Sequence, residues 1–370
     1  MVADGCPGRS PRSARLVRQP ARRLDGRRAQ SEAPVTPALE LSELVVTLDG
    51  PDRTALRALD RISLSVAPGE ILGLVGESGA GKSLTGSAVS GLMPAAARIA
   101  AGEIRVDGTR IDNLPRSALR RLRGRRIGAI VQDALSALDP LYSVGDQLAE
   151  TIATHSGARS WAEAQARAVA WLGAVGIPAP EINARALPQQ LSGGMRQRVV
   201  VALALCAGPC LVIADEPTTA LDPSVQAQII DLMMRQARRE NTAFLLITHD
   251  MGIVAEAADR VAVMYAGRIV ETGAVADVLA RPKHPYTRGL IGSIPALSER
   301  VARLHQIEGS MPRLGFPSPA CPFAPRCPRV FGRCRSERPE LMAAERGEVA
   351  CWLWPADADA PQPQGATADA

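Results

Sequence analysis

The chain has 370 residues, 46% of them hydrophobic and 3% aromatic, with a formal net charge of +5. That length and apolar content suffice for one large domain with an appendage or for two modest domains, and so few aromatic rings speak against a stacking surface for single-stranded nucleic acid. The charge is no nucleic-acid signal either. Within residues 1–38, Arg9, Arg12, Arg15, Arg18, Arg22, Arg23, Arg27 and Arg28 face only Asp4, Asp25 and Glu32, a surplus that accounts for the whole net charge.

In chain order, residues 1–38 read as a disordered Arg-rich tail, because they are rich in Pro, Ser and Arg and lack hydrophobic periodicity. No apolar stretch of useful length follows the arginines, so a targeting peptide is not expected. An anionic membrane surface would suit the tail, and a start codon placed too early would also account for it. Residues 39–48 read as a strand, Asp49-Gly50-Pro51 as a turn, and 56–75 as further strands about a Pro68-Gly69 turn. Residues 102–106 followed by Asp107-Gly108 suggest a strand and hairpin turn, 116–126 a helix, and Ile127 to Val131 a strand. From 145 to 190 the pattern is helical; strands return at 211–214 and 243–247, with helices between and after. This alternation predicts an α/β fold with a mainly parallel sheet covered on both faces and an inserted helical piece at about 133–200. The longest apolar run, Val199 to Ala214, is shorter than the roughly 20 residues a membrane-spanning helix needs, and Gly208-Pro209 breaks it. Any channel is therefore expected on another polypeptide.

Gly76-Glu77-Ser78-Gly79-Ala80-Gly81-Lys82-Ser83 fits the GxxxxGK[ST] phosphate-loop pattern and lies between an expected strand and an expected helix. Its backbone N–H groups can close on phosphate oxygens. Lys82 adds charge for the β- and γ-phosphates, and Ser83 offers a hydroxyl to Mg²⁺. A second buried strand, Leu211 to Ala214, ends in Asp215-Glu216. Asp215 suits Mg²⁺, and Glu216, one residue further on, suits a general base for the attacking water.

The segment Leu191-Ser192-Gly193-Gly194-Met195-Arg196-Gln197-Arg198 resembles the LSGGQ signature of ABC ATPases and precedes the carboxylate strand by the spacing those proteins show. Ser-Gly-Gly at a helix start is itself an anion cradle. The resemblance implies that Ser192, Gly193 and Gly194 serve the ATP held by an opposite subunit. In the same order, Gln132 resembles the Q-loop glutamine, which would contact Mg²⁺ and water. Thr219-Ala220-Leu221-Asp222 resembles the D-loop, and Thr248-His249-Asp250 the switch histidine. The adenine-stacking aromatic usual in the family is replaced by Leu48 or a neighbour, Met195 stands where glutamine is commonest, and Ala134 follows Asp133 where proline is usual. The resemblance implies a P-loop NTPase (RecA-like) core over residues 39–290, with an antiparallel β subdomain and a helical signature subdomain. ATP and Mg²⁺ are the implied cofactors.

Residues 281–295, then Ile307-Glu308-Gly309 and the stretch 321–328, resemble the C-terminal extension of ATPases from oligopeptide and dipeptide importers, including nickel relatives. That branch implies a second ABC ATPase subunit, identical or related, two permease subunits, an external substrate-binding protein, and a peripheral place on the cytoplasmic face of the cell membrane. An exporter or a non-transport ABC ATPase is the alternative. DNA-repair relatives would need a long coiled-coil insertion, and translation-associated ones two ATPase domains in one chain. Within the extension, 291–355, Cys321, Cys327, Cys334 and Cys351 offer four thiolates that suit zinc or a [4Fe-4S] cluster, or stay unligated. Members of the branch are associated with the cluster. Cys206 and Cys210, in the apolar run, read as small buried hydrophobes, and residues 356–370 as a second tail.

Overall fold

The computed structural model describes residues 36–50, 55–218, 221–293, 307–312 and 319–354. The Arg-rich segment up to Val35, the D-loop residues Thr219 and Ala220, and the segment 356–370 lie outside the described residues.

Strand β1 (Leu39–Asp49) alternates buried and partly buried positions, which turns Leu39, Leu41 and the bulge-shifted Leu44 and Val46 to one face. It pairs antiparallel with β2 (Ala55–Val66) on one side. On the other it pairs antiparallel with β4 (Ala97–Val106), which carries the short β5 (Thr109–Arg110). Strand β3 (Ile71–Val75) leaves this subdomain for a second sheet, where its five residues are all buried. There β6 (Ile127–Ile130), β7 (Leu211–Asp215), β8 (Ala243–Thr248), β3 and β9 (Arg260–Tyr265) run parallel as neighbours in the order β9-β3-β8-β7-β6. Runs such as the fully buried β8 need cover on both faces.

Helix α1 (Lys82–Ser90) covers one face. A Cβ at Gly86 would lie 2.8 Å from Ile247 and 2.9 Å from Ile213, so the helix sits against β7 and β8. Its Ala88 and Val89 join Leu39, Leu41, Leu72 and Leu74 in the core between the two sheets. Helix α2 (Arg116–Leu122) leads into β6. The inserted piece follows β6 as α3 (Ala134–Ala137), α4 (Val144–His155), α5 (Trp161–Ala174), α6 (Pro180–Asn183) and α7 (Gly193–Leu205). Ser143, Ser160 and Ser192 each cap the helix that follows by accepting a backbone N–H, from Asp146, Glu163 and Met195 respectively. Leu148, Ile152, Leu172 and Val199 pack with Phe244 and Leu246 and with α8 (Pro223–Glu240) on the opposite face of the sheet. Cys206 is buried in this core as expected, whereas Cys210 is only half-buried.

The chain after β8 departs from the helices expected there. Helix α9 (Met251–Ala257) is followed by β9 and then β10 (Arg268–Ala274), an antiparallel hairpin closed by Ala266 at φ 48° and Gly267 at φ 76°. Two consecutive positive φ values give the turn type that matches strand twist, but alanine is not the residue that announces it. After α10 (Val275–Ala280) and α11 (Pro285–Gly292) the C-terminal residues form α12 (Gly332–Ser336), β11 (Met342–Ala344) and β12 (Gly347–Val349). Strand β12 pairs antiparallel with β10, so the cysteine-bearing extension adds two strands to the same eight-stranded sheet. Ionic contacts reinforce the join: the Asp60 carboxylate of β2 accepts from Arg268 of β10 at 3.0 Å and from Arg338 of the extension at 2.9 Å, besides its neighbour Arg57 at 2.8 Å. Among the described residues no helix is long and apolar enough to cross a membrane.

Candidate functional site

At the C-terminal end of β3 the chain turns through Gly76 to Gly81 and enters α1, the loop-to-helix arrangement that presents backbone N–H groups and a helix N-terminus to an anion. Gly76 has φ 153° and a Cβ there would meet the Met264 carbonyl oxygen at 2.2 Å, so no side chain fits. The Lys82 ammonium donates to the Gly76 carbonyl at 2.7 Å and the Glu77 carbonyl at 3.0 Å, which folds it over the loop. Burial pulls its pKa down, against the upward pull of Glu216, Asp215 and Glu77.

Beside the loop, β7 ends at Asp215. The Ser83 hydroxyl donates to Asp215 Oδ1 at 3.1 Å, which joins the start of α1 to the end of β7. Burial pushes the Asp215 carboxyl up and Glu216 adds to this, while the Ser83 hydrogen bond and the Lys82 charge oppose it. Glu216 follows at φ 50°, a left-handed backbone rare for a non-glycine residue, and its N–H donates to the Ile247 carbonyl at 2.9 Å. Its Oε1 lies 2.6 Å from Nδ1 of His249, just beyond the end of β8. The paired acids thus serve different places: Asp215 meets the phosphate loop, and Glu216 is turned toward His249.

One cleft of about 960 Å³ is lined by Gly76, Glu77, Ser78, Gly79, Gly81, Lys82, Ser83, Gln132, Glu216 and His249. Ala80 lies under the loop, fully buried. Leu48, near the end of β1, and Pro94 are aliphatic parts of the wall. Gln132 follows the end of β6 and is exposed.

The structure does not bring Ser192, Gly193, Gly194 or Asp222 into this cleft. Ser192 and Gly193 are exposed at the start of α7, and Asp222 caps α8 by accepting the Val225 N–H at 3.0 Å. The tie between α7 and the acids is Gln197, which is buried and donates to the Pro217 carbonyl at 2.8 Å.

Residues from the far end of the chain, outside the nucleotide-site motifs, also line it: Leu290, Ser293, Ile307, Gly309 and Arg326. The Glu77 N–H donates to Tyr286 Oη at 2.8 Å, and Arg326 reaches both carboxylate oxygens of Glu77. The available signal was that these residues stand in the C-terminal stretches already singled out, without any hint that they return to the phosphate loop.

Cys321, Cys327, Cys334 and Cys351 line one small cavity together with Phe323, Pro339 and Trp352, and none forms a disulfide. Burial pushes the thiols of Cys321 and Cys327 up and that of Cys351 up to about 12. Among the described residues no three His, Cys, Asp or Glu side chains are close enough about one point to hold a metal ion.

Comparison with known proteins identifies the family. Residues 59–219 match the family described as ABC transporter, and residues 270–334 match the oligopeptide/dipeptide transporter C-terminal region. The oligopeptide transport ATP-binding protein OppD of Mycobacterium tuberculosis is 48% identical over 311 residues, 83% of this chain and 50% of that protein. This chain therefore spans about half the length of that relative. The dipeptide transport ATP-binding protein DppD of Haemophilus influenzae is 43% identical over 313 residues, 85% of this chain and 94% of that one. Among solved structures, a dimeric bacterial ABC transporter cassette superposes with a TM-score of 0.59 at 27% identity, covering 64% of this chain and 98% of the cassette. On these likenesses this chain belongs to the ABC transporter family, among the ATP-binding proteins that carry the oligopeptide/dipeptide transporter C-terminal region.

Proposed function

We propose that this chain is the ATP-hydrolysing subunit of an ABC importer that takes up oligopeptides or dipeptides through separate permease subunits. The observation that carries the reading is the single cleft in which Lys82, Ser83, Gln132, Glu216 and His249 meet. The phosphate loop binds the triphosphate through backbone N–H groups and Lys82. Ser83, Asp215 and Gln132 supply oxygen donors that suit Mg²⁺, which would offset charge on the β- and γ-phosphates. Glu216, steadied by His249, takes the proton of the attacking water.

The start of α7, with Ser192 and Gly193 exposed and Gly194 partly so, is available to the nucleotide of a second ABC ATPase subunit, identical or related, and Asp222 caps the helix beyond. Closure of the pair excludes water, and hydrolysis reopens it. Leu141 and Tyr142 follow Gln132 in sequence and are 81% and 60% exposed, a pair of large side chains suited to a permease helix. A peripheral position on the cytoplasmic face of the cell membrane follows from that docking, and an external binding protein would deliver the peptide. Nickel or another small solute is the second cargo reading, carried by the same C-terminal resemblance.

The four thiols fit a [4Fe-4S] cluster in donor type and in sharing one cavity, although they do not close on a common centre in this structure. Such a cluster would brace the segments that carry Cys321, Cys327, Cys334 and Cys351. Iron and acid-labile sulfide in anaerobically purified protein test this part. Zinc, or neither metal nor sulfide, would replace it.

The function itself is tested by uptake of labelled dipeptides, longer peptides and nickel in cells carrying the native chain or Glu216→Gln. Selective loss of peptide uptake is the expected result. Loss of nickel alone would move the cargo, and unchanged uptake of the whole panel would remove the importer reading.

A further inference from the structure

Arg326 stands on a short turn between two of the cysteines, yet its side chain points away from them into the wall of the ATP cleft. The guanidinium has five N–H donors, and all five are engaged. Nη1 and Nη2 bond the two Glu77 carboxylate oxygens at 2.9 and 3.0 Å. Nη1 also reaches Tyr265 Oη at 3.4 Å, Nη2 the Ile307 carbonyl at 3.2 Å, and Nε the Glu308 carbonyl at 2.8 Å. The side chain is 6% exposed. A fork so fully used fixes the distance between the groups it joins, and a bidentate carboxylate pair is among the stronger hydrogen-bonded arrangements.

What it joins is the second residue of the phosphate loop to the cysteine module. Glu77 is held at three points: its carboxylate by Arg326, its N–H by Tyr286, and its carbonyl by the Lys82 ammonium. The Arg326 turn is held from the other side. The Ala324 N–H donates to the Cys321 carbonyl, the Cys327 N–H to the Ala324 carbonyl, and the Cys321 N–H to the Cys334 carbonyl. Any change that moves Cys321 or Cys327 is passed through this turn to the Arg326 fork. Withdrawal of the fork has two effects on a bound triphosphate: the loop loses an anchor, and the Glu77 carboxylate is left without its counter-charge beside the phosphate groups.

We propose that Arg326 is a positioning residue for the phosphate loop, through which the state of the four-cysteine module sets the affinity of the cleft for ATP. The proposal rests on the reading of the cleft as an ATP site.

The test is calorimetric titration of the full chain with MgATP, with melting temperature recorded for every variant. Arg326→Met is expected to weaken ATP binding about tenfold. Arg326→Lys, which keeps the charge and loses the fork, guards against misfolding of the first variant and should weaken binding by a smaller factor. Glu77→Gln in the Arg326→Met background should restore part of the loss, because it removes the stranded charge; a purely structural role for Arg326 predicts no such recovery. Cys327→Ser, with Cys321→Ser as its replacement if it does not fold, should weaken binding in the native background and have no further effect beside Arg326→Met. Native affinity in both Arg326 variants overturns the proposal, as does a Cys substitution whose full effect persists without Arg326. Should the native chain and Lys82→Ala fail alike to bind MgATP, the reading of the cleft falls first and takes the proposal with it.

Discussion

In the cleft proposed to take ATP, each side chain proposed to act is placed by a turn a few residues long at the end of a buried strand: Gly76 to Ser83 after β3, Asp215-Glu216 at β7, His249 after β8. The cysteine-bearing region is placed in the opposite manner. Its own elements are short, α12 with five residues and β11 and β12 with three each, and its position depends on contacts across most of the chain. Arg326 meets Glu77 at a separation of 249 residues, and Arg338 meets Asp60 at 278. The cleft is a set of local geometries on a rigid sheet. The extension is a clamp that owes its place to ion pairs, one added strand pairing and the packing of buried Phe323 against Tyr265 and Tyr286.

That contrast can be broken first at the cleft. If chemistry there belongs to Glu216, then Glu216→Gln should lower the rate of ATP hydrolysis about 10²–10⁴-fold, the usual contribution of a positioned base, while MgATP affinity and melting temperature change little. Single-turnover hydrolysis and calorimetry on the same preparation separate the two effects. Normal turnover in this variant would remove Glu216 as the base.

The clamp is the next point of attack. Asp60 is largely buried and faces Arg57, Arg268 and Arg338. Burial alone would raise its pKa, but the Arg57 hydrogen bond and the charges of Arg268 and Arg338 outweigh it and hold the carboxyl below the ordinary value of 3.8. Asp60→Asn leaves buried guanidinium groups facing one another and should cost about 3–5 kcal/mol of stability at neutral pH, read by chemical denaturation. The sign of the pH dependence follows from the lowered pKa. The stabilisation is complete above 3.8, the unfolded-state value, and is lost as pH falls through the lower folded-state value. Denaturation curves of the native chain and Asp60→Asn should therefore differ most near neutrality and approach one another in strong acid. A gap that widened on acidification would contradict the network.

On the α7 side of the acids lies Gln197, whose buried amide supports the turn after Glu216 by donating to the Pro217 carbonyl. Gln197→Leu keeps the bulk and strands that carbonyl, a loss of about 1–3 kcal/mol. Hydrolysis should fall with it because the positive-φ Glu216 loses its neighbour's anchor. An unchanged rate at reduced stability would show that the turn holds without this bond.

The contrast also explains what the sequence could reveal. Phosphate loop, paired acids, glutamine and histidine are recognisable because each role needs particular residues within a few positions, and β3, β7 and β8 are continuous apolar runs. The hairpin of β9 and β10 was missed because Ala266-Gly267 lacks the Asn or Asp that advertises such a turn. The return of Arg326 and Tyr286 to the phosphate loop was not legible at all. Nothing in the residues near position 326 specifies that the partner is Glu77; only the folded path of the intervening chain brings them together.

Ser192 gives the smallest effect on an isolated subunit and the finest distinction. In one subunit it is an N-cap, its hydroxyl accepting the Met195 N–H at 3.3 Å, and it stands outside the cleft wall. Ser192→Ala should therefore cost about 1 kcal/mol of stability, the usual loss of a helix cap, and should not alter MgATP affinity of an isolated subunit. If the exposed start of α7 completes the site of a second subunit, the same substitution should lower hydrolysis in the assembled pair by much more than its effect on stability. The comparison is cleanest in a mixed pair, where only one subunit carries Ser192→Ala and the opposite one carries Glu216→Gln. Ser192 serving the opposite nucleotide would then put both lesions on one site and leave the other site whole. Hydrolysis should persist in that pair at about half the native rate and vanish when both lesions are moved to the same chain, because each site then loses one partner. The reverse pattern would place Ser192 at its own subunit's nucleotide, against the separation seen between α7 and the cleft.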